Sequence, residues 1–266
     1  MQYADFFTAS LASKQSYLCI GLDPDPDKLP AGFTGDADGV FRFVREIIQT
    51  TADLTPAYKF NLAFFELWGW RGWQILEKLL SEVPDNILLV GDAKRGDIGN
   101  SSRFYARALQ SQLPFRAVTL SPYLGSESIL PFIEDNQKGA FVLCVTSNPS
   151  GREIQDHGGE FPVYLKVAEL VRTLNSRRNL GLVMGATKPE QLLDVRRMFP
   201  EIPFLIPGIG SQGGEVAAAV HACRQCGLGL INISRAILFP KGGTFPENVR
   251  QAAIEYRQLF NPQGET

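Results

Sequence analysis

Short apolar runs alternate with longer stretches of helical spacing along the whole chain. The runs lie at 16–23 (SYLCIGLD), 56–60 (PAYKF), 86–94 (NILLVGDAK) and 116–120 (RAVTL), then at 139–146 (GAFVLCVT), 180–186 (LGLVMGA), 202–208 (IPFLIPG) and 228–234 (LGLINIS). Their Val, Ile and Leu positions are nearly continuous rather than alternating, which is the pattern of strands buried on both faces. Between them, apolar residues recur at helical spacing in 39–54, 62–83, 103–113, 162–179, 189–199, 215–227 and 246–260. Eight such strands, each followed by a helix, predict a parallel sheet covered by helices, and the length suits a (β/α)8 barrel, the TIM-barrel architecture. A doubly wound open sheet is the alternative, but no GxGxxG follows the first strand. No linker or low-complexity stretch divides the chain, so residues 1–266 are expected to form one α/β domain with a short polar tail, NPQGET.

Composition narrows the function classes. A net charge of −2 gives no nucleic-acid footprint and no pull towards anionic lipid. The segment MQYADFFTASLASKQSY lacks a basic region followed by an apolar core, and no apolar run approaches the ~18 residues of a membrane span. A soluble cytoplasmic protein is expected. Only two histidines are present, His157 and His221, so a histidine-built metal centre or a Ser-His-Asp triad is not expected. Of the four cysteines, Cys19 and Cys144 sit in apolar runs. Cys223 and Cys226 have CxxC spacing, but they close a helical stretch and no second pair accompanies them. Chemistry in this chain is expected to run on Lys and Asp.

In a barrel, functional groups gather where strands end. Those ends carry Asp23, Lys59, Asp92 and Lys94, Thr146-Ser147, Pro207-Gly208 and Ser234-Arg235. The densest stretch is DAKRGDIGNSS, residues 92–102. Asp92 and Lys94 are two apart on a strand and are expected to share a face, with Asp97 just past the turn at Gly96. Two carboxylates beside one ammonium favour its charged form, which makes Lys94 a proton donor or a fixed positive charge rather than a Schiff-base nucleophile. The bland alternative is a salt-bridge network closing the barrel mouth. Arg95 alternates to the other face and is read as structural.

A second constellation is PGIGSQGGE, 207–215. Its glycines let backbone amides approach an anion at a helix start, and Arg235 ends the next strand. Each feature alone is an ordinary turn; together, after the seventh and eighth strands, they suit phosphate. Asp25 and Asp27 are read as solvated and Asn61 as a cap for a helix from Leu62. Trp68, Trp70 and Trp73, on one long helix, are read as packing or interface. Ser147 has no neighbouring base and is not read as a nucleophile.

DAKRGDIGNS resembles the D-x-K-x-x-D-I-x-x-T pattern of the orotidine 5′-phosphate decarboxylase family. Asp23, Lys59, TSNPS, PGIGSQGG and Arg235 follow in the order that family shows, so the resemblance covers most of the chain. It implies a carboxy-lyase that converts orotidine 5′-phosphate to uridine 5′-phosphate and CO2, the last step of de novo UMP synthesis, without cofactor or metal. It implies that Lys94 is the proton donor, flanked by Asp92 and by Asp97 of a partner subunit, and that Lys59 completes the network. Asp23 and Lys59 would hold ribose hydroxyls, Ser147 would read the pyrimidine, Pro207 would line the base pocket, and Gln212 and Arg235 would bind phosphate. Ile98 and Ser101 would reach the neighbouring site with Asp97, which implies a homodimer. Ser101 stands where the family usually has Thr, and Ser234 where many members have Gly. A metal-dependent sugar-phosphate lyase or aldolase on the same barrel is the enzymatic alternative, although Lys59 repels a cation; a non-catalytic phosphate-binding or interaction protein is the other.

Overall fold

The computed structural model of the chain describes residues 1–209 and 213–261. Eight parallel strands close into a barrel in sequence order: β1 (Leu18–Leu22), β2 (Ala57–Asn61), β3 (Leu88–Arg95), β4 (Ala117–Leu120), β5 (Gly139–Val145), β6 (Leu180–Met184), β7 (Phe204–Ile206) and β8 (Gly229–Ile233). Closure comes from β1, whose Cys19 stands beside Ala57 on one side and Asn232 on the other. Six of the strands fall inside the runs expected of them, and β2 and β3 each extend one residue beyond, to Asn61 and Arg95. β7 is the shortest, because Pro203 and Pro207 flank it and a proline has no N–H to extend a ladder. Both still accept, from the N–H groups of Leu182 and Ala186 at 2.9 Å each.

Helices coat the outside: α1 (Tyr3–Lys14), α2 (Ala37–Thr51), α3 (Ala63–Glu66), α4 (Trp70–Ser81), α5 (Gly99–Arg107), α6 (Arg152–Gln155), α7 (Val163–Leu174), α8 (Pro189–Met198), α9 (Gly213–Cys226), α10 (Arg235–Leu238) and α11 (Glu247–Leu259). α2 shows why they form. Asp36 caps it by accepting from the Gly39 N–H at 2.8 Å. Val40, Phe43, Val44, Ile47 and Ile48 then bury one stripe against the barrel, each contributing roughly 1.5–3 kcal/mol of transfer free energy. Phe43 stacks on Phe239 and Phe245, both at 5.5 Å between centroids, which ties α2 to the segment after β8.

One element was not anticipated, and two expectations are corrected. The N-terminal segment forms α1, whose Tyr3, Phe6, Phe7 and Leu11 are buried. The single helix expected over 62–83 is two, broken at Gly69, whose φ of +56° an L side chain rarely adopts. Trp68 therefore packs against the core while Trp70 stays largely exposed. After β4 there is no full helix, only one-turn 3-10 segments at Ser126–Ser128 and Leu130–Phe132. No helix among the described residues is long and apolar enough to cross a membrane.

Candidate active site

A cavity of about 1060 Å³ opens at the C-terminal ends of the strands. Asp23, Lys59, Asp92, Lys94, Ser147, Pro207 and Arg235 all line it, so seven of the residues singled out by position meet at one mouth. Its two sides differ. Asp23, Lys59, Asp92, Thr119 and Asn232 supply polar groups from β1 to β4 and β8, while Leu143, Val183 and Leu205 form an apolar wall on β5 to β7.

The polar side is a linked charge network. Lys59 Nζ donates to Asp92 Oδ2 at 2.9 Å and lies 3.6 Å from Asp23 Oδ1. Lys94 Nζ donates to Asp92 Oδ1 at 2.6 Å. Burial alone pushes the Asp92 carboxyl up, but the Lys59 and Lys94 ammoniums outweigh it and hold the group well below the usual carboxylate range. Burial likewise works against the Lys59 ammonium, and the Asp23 and Asp92 carboxylates overcome it, so Lys59 is held charged above its ordinary value. Lys59 is almost fully buried, whereas the Lys94 side chain is 49% exposed.

The contact between Asp92 and Lys94 is made by a different backbone route from simple alternation. β3 pairs with β4 at Gly91–Val118 and resumes only at Arg95–Leu120, so β3 carries a bulge, and inside it Lys94 adopts φ +48°. Thr119, which the sequence reading passed over, faces this bulge. Its hydroxyl accepts the Lys94 N–H and donates to Asp92 Oδ1, each at 2.9 Å.

Arg95 points away from the mouth. Its guanidinium donates to Glu66 Oε1 at 2.5 Å and to the Ala93 carbonyl at 3.0 Å, and it stacks over Tyr105. It braces β3 against α3 and α5, the structural part expected of it.

Asp97, Ile98 and Ser101 do not line this cavity. Asp97 Oδ1 accepts the Ile98 N–H at 2.8 Å, and Ile98 is 51% exposed. Gln212 lies outside the described residues. Around it, Pro207, Gly208 and Ile209 line the cavity from one side and α9 begins at Gly213. Gly208 has φ +88°, and a Cβ there would come within 2.9 Å of the Ser147 Cβ, so the close packing of these two loops requires glycine. Arg235 opens α10 at the cavity edge.

The TSN turn that carries Ser147 is held by Gln155. Gln155 Oε1 accepts the Thr146 N–H at 3.0 Å and its amide donates to Thr146 Oγ1 at 2.7 Å. Asn61 accepts the Ala63 N–H at 3.4 Å, as a cap would, and also faces the cavity. Asp25 stays outside, bonded to the Asp27 N–H and to Lys28 Nζ. Asn232 was also missed. Its Oδ1, together with Asp23 Oδ1 and Ser234 Oγ, is buried without a hydrogen-bond partner among the described residues, as groups that await a polar ligand or water are. The available signal for Thr119 and Asn232 was a polar residue inside an otherwise apolar strand run.

Away from the mouth, the cysteines are free thiols. Burial pushes Cys223 up to about 12, and Cys226 Sγ donates to the Glu201 carbonyl at 3.4 Å.

Comparison with known proteins places the chain in a family. Residues 16–242 match the model of the Orotidine 5'-phosphate decarboxylase / HUMPS family. The orotidine 5′-phosphate decarboxylase of Herpetosiphon aurantiacus is 44% identical over 252 residues, 93% of each chain. That of a Roseiflexus species is 42% identical over 267 residues, 98% of each. The solved structure of Leishmania donovani OMP decarboxylase superposes with a TM-score of 0.83 at 36% identity, covering 96% of this chain and 95% of that one. With the motif, the barrel and full-length relatives in agreement, the chain belongs to the orotidine 5′-phosphate decarboxylase / HUMPS family.

Proposed function

We propose that this chain is a carboxy-lyase that converts orotidine 5′-phosphate to uridine 5′-phosphate and CO2 in pyrimidine biosynthesis, with Lys94 as proton donor. The observation that carries the reading is the Lys59–Asp92–Lys94 network, with Asp92 bonded to both ammoniums at 2.9 and 2.6 Å beneath an open cavity. In the proposed step the bond between carbon 6 and the carboxylate breaks, CO2 leaves, and the electron pair stays on carbon 6 in the ring plane. The Lys94 ammonium stabilises that pair and delivers a proton to it; the neutral amine then regains a proton from water. Positioned proton transfer alone supplies about 10²–10⁴-fold. The larger share is assigned to the fixed field of the network and to binding energy from the remote phosphate.

The other roles follow the resemblance. Asp23 and Lys59 take the ribose hydroxyls, Ser147 reads the pyrimidine, Pro207 lines the base pocket, and Gln212 with Arg235 holds the phosphate. Asp97, Ile98 and Ser101 serve the site of a partner subunit in a homodimer. The exposure of Ile98 and the absence of all three from this chain's own cavity lining support that assignment. No cofactor or metal takes part in the proposed step, and a cytoplasmic location suits a biosynthetic enzyme of this kind.

The test is the ultraviolet absorbance change of orotidine 5′-phosphate with wild type and Lys94→Ala, each with and without a chelator. Chelator-resistant turnover that falls by at least 10³-fold in the variant is expected. A folded wild type that leaves the substrate untouched sinks the reading.

A further inference from the structure

We infer that Thr119 is a positioning residue, whose hydroxyl sets the conformation of Lys94 and the aim of its ammonium. This inference rests on the decarboxylase reading for its kinetic consequence, but its structural core stands on the β3–β4 geometry. Thr119 lies in β4 and is only 1% exposed. A hydroxyl in such a place costs free energy unless it is bonded, and here both of its capacities are used. It accepts the Lys94 N–H and donates its one proton to Asp92 Oδ1. Asp92 Oδ1 is also the atom that receives Lys94 Nζ. One hydroxyl therefore grips the backbone of Lys94 at one end and, through Asp92, its side-chain tip at the other.

The backbone needs such a grip. Inside the bulge the regular β3–β4 ladder is interrupted between Gly91 and Arg95, so the Lys94 N–H has no strand partner and Thr119 takes that place. Lys94 is one of three non-glycine residues with positive φ among the described residues, at +48°, a conformation that costs an L side chain of this kind on the order of 1 kcal/mol. The residue type matters too: valine has the same shape without the hydroxyl, and serine keeps the hydroxyl without the methyl.

The experiment compares Thr119→Val and Thr119→Ser with wild type by crystal structure and by kinetics. In Thr119→Val, Lys94 is expected to leave φ near +48° or its Nζ to leave hydrogen-bonding distance of Asp92. With that change kcat is expected to fall about 10- to 100-fold, the worth of a hydrogen bond to a charged group. Affinity for uridine 5′-phosphate, which keeps its phosphate and ribose contacts, is expected to stay within threefold. Thr119→Ser is expected to keep kcat within threefold of wild type, a rescue that a loss of packing alone would not give. An unchanged Lys94 in the Thr119→Val crystal structure overturns the inference, as does a serine variant as impaired as the valine one. If wild type itself fails to decarboxylate, the functional reading falls, while the crystal structures still decide what Thr119 does to Lys94.

Discussion

Lys59→Met is the perturbation that best tests whether the charge network is energetically real. The change keeps an unbranched side chain of similar length and removes the ammonium that lies between Asp23 and Asp92. Lys59 is 5% exposed and Asp92 11% exposed at their side chains, so water screens neither. Removing one partner of a buried pair costs about 3–5 kcal/mol, because the other charge is left uncompensated. Asp92 would retain Lys94, which favours the lower end; Asp23, whose Oδ1 has no hydrogen bond among the described residues, would lose its nearest cation, which favours the upper. At roughly 2–4 °C per kcal/mol for a chain of this size, the melting temperature is expected to drop by about 6–20 °C at pH 7.5. The pH dependence has a definite sign. Asp92 is depressed in the folded state, so its contribution is complete above the unfolded value near ~3.9 and is lost as pH falls through the folded one. Lys59 is raised, so its contribution is complete below ~10.4 and is lost as pH rises through its folded value. The deficit of the variant is thus expected to be flat from about pH 5 to pH 9, the interval well inside both of those limits. The assay is urea unfolding followed by circular dichroism at one fixed protein concentration, on wild type, Lys59→Met, Asp92→Asn and the double variant. The double variant is expected to lose less than the sum of the singles by about 2 kcal/mol or more, since an amide in place of Asp92 strands no charge. A single-variant cost below about 1 kcal/mol, or an additive cycle, refutes the account of Lys59 as the ion that holds Asp92 charged.

Two further outcomes bear on the phosphate end and on the thiols. Arg235→Ala is expected to raise KM for orotidine 5′-phosphate about 10- to 150-fold, the loss of charge-assisted bonds to phosphate, with a melting temperature within about 2 °C of wild type because the side chain is exposed. A KM within twofold of wild type removes Arg235 from the phosphate site. A disulfide reagent that reports free thiols is expected to find at most one reactive cysteine per native chain, Cys226, and four after unfolding in urea. Cys19, Cys144 and Cys223 are buried, and burial raises all three thiols, Cys19 and Cys223 to about 12. Two or more fast-reacting native thiols contradict this packing.

The barrel was legible because a strand buried on both faces must be apolar at nearly every position, and eight such runs stand out from amphipathic neighbours. The same logic exposed the site. A carboxylate or ammonium at the end of such a strand is anomalous unless something pairs with it, and Asp23, Lys59, Asp92 and Lys94 turn out to pair with one another. What stayed hidden depended on backbone angles or on neutral groups. The break at Gly69 interrupts a pattern of Trp and Leu that reads equally well as one continuous helix, and only φ distinguishes the two. The stripe of α1 is diluted by Ala and Ser, so its buried Phe6, Phe7 and Leu11 have little contrast with their surroundings. Thr119 and Asn232 are neutral, and a neutral polar group in a buried strand is ordinarily a satisfied one. Only the bulge partners of Thr119 and the Asn232 Oδ1, which has no hydrogen-bond partner among the described residues, set them apart.

The unequal exposure of the two lysines explains why the network needs both. A cation that meets a substrate must be reachable, and Lys94 is, at 49% side-chain exposure. A reachable cation on a flexible four-carbon stem is poorly aimed, however, and aim is what electrostatic catalysis requires. Lys59 supplies it indirectly: buried and held charged by Asp23 and Asp92, it fixes one oxygen of Asp92 while the other oxygen fixes Lys94. The carboxylate thus remains ionised despite burial, and the geometry of Lys94 does not depend on the substrate to create it. On the proposed chemistry, Lys59 keeps the field in place and Lys94 applies it, so exchanging the two charges' environments would lose catalysis even with every residue type retained.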